Sequence, residues 1–269
     1  MGSDAPILTE GESLAPGYEV VDHWVRTKWL DVYAVWSLER ECRCVAKVPR
    51  PDCSGKRRPR ADLLNEGRLL RRLTHPHIVR AYEVLDDPRP ALILEALQGA
   101  TLEYIIALRR ELPAIDDIAY LGLHLCSAMH YLHGRGWLHL DLKPGNVISS
   151  NGVAKVIDLS CARRPGRPRR ALGTPLYMAP EQIVQQPLSP ATDVWGIGAV
   201  LFHHATGQPP FWIPNGSGYQ QVVRGADPVC SYRSLPAALA EAIDACLDRD
   251  PDARPTVAEV ADVLVALVD

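Results

Sequence analysis

Residues His139 to Asn146 read H-L-D-L-K-P-G-N and place an acid, a cation and an amide at fixed offsets. Asp141 can accept the proton of an attacking hydroxyl group. Lys143 can neutralise a transferring phosphoryl group, and the amide oxygen of Asn146 can bind a metal ion. Together these side chains suit phosphoryl transfer.

The segment resembles the catalytic loop of eukaryotic-like Ser/Thr protein kinases of the bacterial, Hanks type. The Lys-Pro pair after Asp141 is the Ser/Thr-kinase version of this loop. Where the family usually has arginine between the histidine and the aspartate, this chain has Leu140. In the family that arginine holds a phosphorylated activation loop. The resemblance therefore implies a site that activation-loop phosphorylation does not control.

The resemblance extends over roughly residues 17 to 268 and implies a bilobal α+β fold. The small lobe would hold a five-stranded antiparallel sheet and one helix, and the large lobe would be mainly helical. We expect a flexible tail over 1–14, a small lobe over 15–94, a hinge over 95–100 and a large lobe over 101–269, as a single kinase domain over 15–269. Apolar periodicity and capping signals predict large-lobe helices that begin near Ile118, Ser189, Pro236 and Thr256.

The composition fits a globular protein of this size. The chain has 269 residues, of which 47% are apolar, enough for one large domain or two lobes. A net charge of -3 gives no overall attraction to nucleic acid or to a membrane. Seven cysteines at irregular spacings, without an apolar run that could cross a bilayer, predict a reduced, cytoplasmic protein. Cys42 and Cys44 share one face of a predicted strand, where we favour buried thiols over a zinc site.

The small lobe carries the residues expected to position ATP. Val45-Ala46-Lys47 resembles the strand whose lysine binds the α- and β-phosphates. From Asp62 to Leu73, leucines recur at helical spacing, and Glu66 stands where the glutamate partner of that lysine is expected. A surface lysine at a strand end is the alternative interpretation of Lys47. Gly67 costs the helix about 1 kcal/mol relative to alanine, which predicts a soft helix position.

Further residues would line the nucleotide site by the same resemblance. Leu94 would be the gatekeeper beside the adenine, and the backbone of Glu95 and Leu97 would bind the adenine. The other predicted nucleotide contacts are Val25, Val32, Ala46 and Ile148.

Asp158 follows an apolar strand and stands where the family has Asp-Phe-Gly. By resemblance, Asp158 and Asn146 would hold Mg²⁺, or Mn²⁺, while the ion bridges phosphate oxygens. Thr174 stands at the family's spacing before Ala-Pro-Glu, residues 179–181, and would bond Asp141 and Lys143. This threonine implies a protein substrate with a Ser/Thr acceptor. Arg254 would pair with Glu181 as a structural contact.

The loop between Asp158 and Thr174 has Ser160 as its hydroxyl residue, which again indicates a site without phosphorylation control. Its basic run, Arg163 to Arg170, either docks an acidic partner or forms a solvated charge run. The basic segment from Lys56 to Arg60 lies where related kinases pair through their small lobes. We therefore keep a homodimer as an alternative to a monomer.

The phosphate-covering loop departs most from the family pattern. Counting back from Val32, the family's glycines would fall on Val25, Thr27 and Leu30, and none of these is glycine. Bulky or β-branched residues cannot approach phosphates as closely, so we expect weaker or altered ATP binding. Two functions stay open: a Ser/Thr protein kinase that uses ATP, and a pseudokinase that acts as a nucleotide-sensing or non-catalytic scaffold. A small-molecule kinase is a third alternative, against which Thr174 argues.

Overall fold

The computed structural model describes residues 5–53, 56–87, 89–168, 170–211 and 219–268. The chain divides into two compact units, Met1–Gln98 and Gly99–Asp269. The division falls inside the predicted hinge, 95–100. The first unit is rich in β-sheet and the second is mainly helical, which confirms the predicted α+β class.

The first unit is built on an antiparallel sheet. Its strands are β1 (Ser13–Ala15), β2 (Tyr18–Arg26), β3 (Leu30–Ser37), β4 (Cys42–Pro49), β5 (Ala81–Leu85) and β6 (Ala91–Glu95). They lie in the order β1-β2-β3-β4-β6-β5. A short 3-10 turn, Pro51–Cys53, precedes helix α1 (Arg57–Leu70). The sheet has six strands rather than the predicted five, because β1 adds a short strand at one edge.

One face of this sheet carries Lys47 and receives helix α1. Lys47 pairs with Val32 on β3 and with Leu92 on β6, so these side chains share a face. A Cβ atom added to Gly67 would lie 2.6 Å from Val84 and 3.1 Å from Leu92. Glycine therefore permits close packing of α1 against the sheet. The soft helix position expected at Gly67 stays a prediction.

The segment before β2 covers part of the opposite face. Leu14 is 3% exposed in an apolar cluster with Tyr33, and Leu8 packs against that cluster. The Leu8 N–H donates to the Tyr33 hydroxyl oxygen at 3.2 Å. The predicted flexible tail over 1–14 is therefore wrong for Leu14, which is buried on a sheet face, and for Leu8, which is partly buried there. Residues 1–4 of that tail lie outside the described residues.

The second unit combines helices with a small sheet. Its helices are α2 (Leu102–Leu108), α3 (Ile115–His133), α4 (Pro180–Ile183), α5 (Pro190–Thr206), α6 (Gln220–Val223), α7 (Ala237–Cys246) and α8 (Val257–Val265). The strands are β7 (Ala100–Thr101), β8 (Val147–Ser150) and β9 (Val153–Val156), antiparallel in that order. Short 3-10 turns span Pro144–Asn146, Val229–Ser231 and Pro251–Ala253.

Helices α3 and α5 form the buried centre of this unit, with Ile118, Met129 and Trp195 shielded from solvent. The four predicted helix starts are confirmed within a few residues. At the start of α8, the Thr256 hydroxyl accepts the Glu259 N–H while the Glu259 carboxylate accepts the Thr256 N–H. Among the described helices, none is both long enough and apolar enough to cross a bilayer.

Candidate active site

The catalytic loop between α3 and β8 is held by a buried carboxylate. Asp193 in α5 is 1% exposed and accepts the N–H groups of His139 and Leu140, each at 2.8 Å. It also accepts a bond from His133 Nε2 at 2.8 Å. Leu140 has a φ of +68°, a left-handed conformation that costs about 1–2 kcal/mol for a leucine. The bonds to Asp193 offset this strain and fix the loop.

Our sequence reasoning missed Asp193 as a functional residue. The available signal was a lone carboxylate in an otherwise apolar helix. A buried charge of this kind needs hydrogen-bond partners, and the loop supplies them.

Asp141, Lys143 and Thr174 form a hydrogen-bonded chain. The Thr174 hydroxyl donates to Asp141 Oδ1 at 2.7 Å and accepts a bond from Lys143 Nζ at 2.8 Å. Lys143 Nζ lies 3.7 Å from Asp141 Oδ2. The structure thus brings together the three residues predicted as catalytic, and it holds the ammonium group next to the carboxylate.

Asn146 and Asp158 offer oxygen atoms that suit Mg²⁺. Asn146 Nδ2 donates to the backbone oxygen of Asp141 at 2.8 Å and to its Oδ2 at 3.1 Å. The Asn146 amide oxygen is left as the atom that can face an ion. Asp158 Oδ1 accepts the Ser160 N–H at 2.8 Å. Both donors are hard oxygens, which Mg²⁺ prefers.

The donor set fits an ion that a nucleotide helps to hold. Within the part of the chain that the structure describes, no group of three or more His, Cys, Asp or Glu side chains could bind a metal alone. Mg²⁺ commonly uses one or two protein carboxylates and completes its shell with phosphate oxygens and water.

Cys42 and Cys44 are free thiols with Sγ atoms 4.0 Å apart, and burial raises the pKa of Cys44 to about 11.

His139 orients the loop as a neutral ring. It is fully buried, and this burial lowers its pKa, against the opposing effect of the carboxylates of Asp193, Asp141 and Asp158. His139 Nδ1 accepts the Asp141 N–H at 3.1 Å, so the neutral ring carries its proton on Nε2. His139 therefore supports the position of Asp141 and does not compete with it for a substrate proton.

Lys47 and Glu66 form an ion pair inside the first unit. Lys47 Nζ donates to Glu66 Oε1 at 2.8 Å, and the two side chains are 10% and 0% exposed. A buried pair adds little net stability because desolvation offsets much of the attraction. Its effect is to hold the ammonium group in one place. The interpretation of Lys47 as a surface lysine is wrong.

Ala46 does not lie where the predicted nucleotide contact requires. It pairs with Tyr33 and Ile93 and is fully buried in the core on the face opposite Lys47. Side chains alternate along a strand, so the residue that shares the face of Lys47 is Val45, two positions earlier. The prediction for Ala46 is therefore wrong, and the period-2 rule applied to β4 would have identified Val45.

Other predicted nucleotide contacts in the first unit have suitable positions. Val25 pairs with Val32 on the Lys47 face, and Val25 is half exposed. Leu94 is buried in β6 on the same face, two residues from Leu92. In the second unit, Ile148 is partly buried in β8, where it pairs with β9.

The predicted hinge backbone is partly engaged. The Glu95 N–H donates to the backbone oxygen of Arg80 at 2.9 Å and is therefore not available to adenine. The Leu97 N–H makes no hydrogen bond within the described ranges and can still be donated.

The β2–β3 turn, Thr27 to Leu30, uses its own N–H groups. The Thr27 N–H donates to the Leu30 oxygen at 2.8 Å. The N–H groups of Leu30 and Trp29 donate to the Thr27 hydroxyl at 2.9 and 3.3 Å. These donors are not available to phosphate oxygens. The turn therefore lacks the glycines of the family's phosphate loop, and three of its four N–H groups, those of Thr27, Trp29 and Leu30, already have acceptors.

The activation segment packs through an apolar cluster rather than through a charged pocket. Leu138, Leu140 and Leu188 form the buried cluster, and Cys161 and Leu172 pack against it. The side-chain amide of Gln182 donates to the backbone oxygens of Leu140 and Leu172 at 2.8 and 2.7 Å. Leucine at position 140 thus connects the catalytic loop to the segment that follows it.

The arginine run between Asp158 and Thr174 divides into two groups. Arg163 and Arg164 donate to backbone oxygens of their own unit, at distances between 2.6 and 3.1 Å. Arg167 and Arg170 are exposed. Arg169 lies outside the described residues. Arg164 is exposed as well, but its guanidinium already bonds backbone oxygens, whereas Arg167 and Arg170 make no side-chain hydrogen bond within the described ranges and are available to a docking partner.

Glu181 and Arg254 form the expected structural pair. Two parallel bonds of 2.8 and 2.9 Å join the guanidinium to the carboxylate, and both side chains are buried. This pair ties helix α4, which follows the activation segment, to the loop before α8.

Comparison with known proteins agrees with this geometry. The model of the protein kinase domain matches residues 30–264. The chain is 32% identical over 213 residues to the ovarian-specific serine/threonine-protein kinase Lok of Drosophila melanogaster, covering 74% of this chain and 44% of Lok. It is 34% identical over 190 residues to serine/threonine-protein kinase ULK3 of Homo sapiens, covering 68% of this chain and 39% of ULK3. The match thus spans less than half the length of these relatives. Because the domain model covers most of the sequence, this chain belongs to the protein kinase family.

Proposed function

We propose that this protein is a Ser/Thr protein kinase that transfers the γ-phosphoryl group of ATP to a serine or threonine of a protein substrate. The observation that carries the proposal is the Thr174 hydroxyl, which joins Lys143 at 2.8 Å and Asp141 at 2.7 Å. These two hydrogen bonds hold the Asp141 carboxylate and the Lys143 ammonium group side by side. The names of the relatives Lok and ULK3 support the same class of acceptor.

Each polar side chain has a defined task in this proposal. Asp141 accepts or orients the acceptor hydroxyl, and Lys143 stabilises negative charge on the transferring group. Asn146 and Asp158 would hold Mg²⁺, which when bound neutralises phosphate charge. Lys47, positioned by Glu66, would bind the α- and β-phosphates.

We further propose that activation-loop phosphorylation does not control this site. Leu140 and Leu172 pack in the same apolar cluster, and Gln182 bonds the backbone of both. A phosphate group placed here would meet leucine side chains instead of an arginine pair. Protein treated with phosphatase should therefore transfer phosphate as fast as untreated protein. A loss of activity after this treatment would contradict the proposal.

A pseudokinase that senses nucleotide or acts as a protein scaffold is the second candidate. The observation that favours it is the closed β2–β3 turn, in which the N–H groups of Thr27, Trp29 and Leu30 already have acceptors. Without these donors, Lys47 and a metal ion would have to supply most of the phosphate binding. Under this alternative the Lys47–Glu66 pair would maintain the fold without supporting turnover.

Two measurements separate these candidates. A calorimetric titration with ATP, with and without Mg²⁺, needs no knowledge of the acceptor. The kinase proposal predicts binding that Mg²⁺ strengthens, followed by transfer of labelled γ-phosphate to Ser/Thr peptides of a broad library. No binding at millimolar ATP, or binding without transfer to any peptide, would support the scaffold.

The proposals on partners rest on exposed basic residues. Arg167 and Arg170 are available to an acidic substrate or docking partner.

A homodimer through the segment from Lys56 to Arg60 and helix α1 also stays a proposal, although Arg60 already bonds Asp86. Sedimentation at high concentration would give a monomer mass if this dimer does not form. Cytoplasmic localisation stays a prediction.

A further inference from the structure

The first unit contains a cavity bounded by the sheet face opposite Lys47, by the segment before β2 and by Arg60 of helix α1. Its volume is about 540 Å³, within the range of small-molecule sites. Tyr33 on β3 and Val48 on β4 line the side formed by the sheet, and Leu8 and Leu14 line the side formed by the segment before β2. Further apolar lining comes from prolines at positions 6, 49, 51 and 90. The cavity therefore suits an apolar molecule.

Arg89 brings a positively charged side chain to this cavity. Its side chain is exposed, lines the cavity and makes no hydrogen bond or ion pair in the ranges that the structure describes. Hydrogen bonds from Thr9 lower the pKa of the Glu12 carboxyl group, and the nearby charge of Arg89 lowers it by a smaller amount. However, the Glu12 carboxylate already accepts bonds from the N–H and hydroxyl of Thr9. Because Arg89 and Glu12 form no ion pair within the described ranges, the guanidinium nitrogens of Arg89 remain available to a bound anion.

Arg60 is a second, partly used cation in the lining. Its Nη2 atom bonds the backbone and side chain of Asp86 and lies 3.5 Å from Asp87. The remaining guanidinium nitrogens have no hydrogen bond within the described part of the chain. Arg60 can thus add a weaker contact to the anion that Arg89 binds.

Asp31 is the acid in the cavity lining, but its charge is already compensated. Its side chain is fully buried, and Arg26 binds both carboxylate oxygens at 2.7 and 2.9 Å. His23 Nε2 lies 3.3 Å from the same carboxylate. Of the charged side chains that line the cavity, Asp31 and Arg60 are already paired, and Arg89 is the one that forms no ion pair among the described residues.

We propose that this cavity binds a small apolar molecule that carries one anionic group, such as a sulfonate or a carboxylate. The apolar part would pack between Tyr33 and Leu14, and the anion would bind Arg89. The proposal concerns a site separate from the phosphoryl-transfer residues and does not depend on the proposed kinase activity.

The position of the cavity suggests a regulatory consequence. Val48 is the neighbour of Lys47 on β4, and Arg60 belongs to helix α1, which also carries Glu66. A ligand that contacts both elements stabilises the arrangement in which it binds. That arrangement is the one in which Lys47 and Glu66 are paired. Occupancy would therefore favour the formed ion pair.

The test uses the aromatic sulfonate 8-anilinonaphthalene-1-sulfonate in a fluorescence titration of the full chain. We expect saturable binding at one site and its displacement by decanoate. Arg89→Ala should weaken binding about fivefold to tenfold, because a charge-assisted contact is lost. Leu14→Trp should abolish binding because the indole fills the cavity. Arg72→Ala removes another exposed arginine of the same unit and should leave the affinity unchanged.

The variants also define the results that would overturn the proposal. Equal affinity in the parent and in Arg89→Ala would do so, as would the absence of saturable binding at about 1 mM probe, a concentration at which even weak sites fill. Near-UV circular dichroism shows whether Leu14→Trp is folded. If it is not, the comparison of Arg89→Ala with Arg72→Ala decides the question, since both positions are exposed.

Discussion

The catalytic loop, His139 to Asn146, and the β2–β3 turn, Thr27 to Leu30, are both fixed by bonds between side chains and backbone. In the catalytic loop the acceptor is Asp193, which belongs to helix α5 and accepts the backbone N–H groups of His139 and Leu140. In the turn the acceptor is Thr27 itself, so the turn bonds its own N–H groups.

The difference lies in which groups remain for a ligand. Because Asp193 holds the catalytic loop through its backbone, the side chains of Asp141 and Lys143 stay available at the site. Because Thr27 uses the donors of the turn, little remains there to bind phosphate. The same type of bond thus leaves the catalytic side chains of one segment available and occupies N–H donors in the other. Substitutions in each segment can test this comparison.

The largest effect is expected for Asp141→Asn. Asparagine keeps the shape and an acceptor for Thr174 but cannot take a proton, so kcat should fall about 10²–10⁴-fold. ATP affinity and the free energy of unfolding should change little. Transfer of labelled phosphate to peptides measures the effect, with Asp262→Asn, an exposed aspartate of α8, as the control. A variant as active as the parent would remove Asp141 from its proposed role.

Asp193→Ala should break the support of the catalytic loop. It leaves the buried N–H groups of His139 and Leu140 without an acceptor, and each such group costs about 1–3 kcal/mol. We expect the free energy of unfolding to fall by about 2–6 kcal/mol, measured by urea denaturation. Asp262→Ala is again the control. If stability is unchanged, the loop does not depend on this anchor.

Thr174→Val should lower kcat by about 10–100-fold, because it removes a hydroxyl that bonds two charged groups at a cost of about 1.5–3 kcal/mol. Thr174→Ser keeps the hydroxyl and should restore most of the activity. The pair of variants separates the hydrogen bond from packing, since valine and threonine have similar shapes. Equal activity of the two variants would show that the hydroxyl is not needed.

The smallest effect is expected in the β2–β3 turn. Replacing Val25, Thr27 and Leu30 by glycine removes the Thr27 acceptor and frees N–H groups for phosphate. ATP should then bind up to about tenfold more tightly, as judged by calorimetry. Leu38→Gly, in the exposed turn after β3, is the control for added flexibility. Unchanged affinity would show that these donors do not limit ATP binding.

Much of the catalytic segment could be predicted because its residues stand close together in the chain. The offsets among Asp141, Lys143 and Asn146 are local, and a helical leucine pattern placed Glu66 on α1. The contact of Thr174 with Asp141 and Lys143 was expected only through the family resemblance. Period-2 alternation could also have identified Val45 in place of Ala46, had it been applied to β4.

Other features could not be predicted because they depend on residues far apart in sequence. Leu8 and Leu14 look like part of a polar tail until a sheet face offers them burial. Asp193 looks like an isolated acid until the catalytic loop supplies its partners. The arginine run likewise gave no sign that Arg163 and Arg164 would bind backbone oxygens.

The amino-acid sequence by itself determined the order of the elements, the acidic and basic groups of the catalytic segment and the absence of glycines before Val32. These follow from local periodicity, turn residues and short spacings, which need no knowledge of distant neighbours. Only the tertiary structure decided which donors and acceptors remain available. Hydrogen bonding and burial depend on what each group meets in space, as Asp193, Thr27 and the cavity beside Arg89 show.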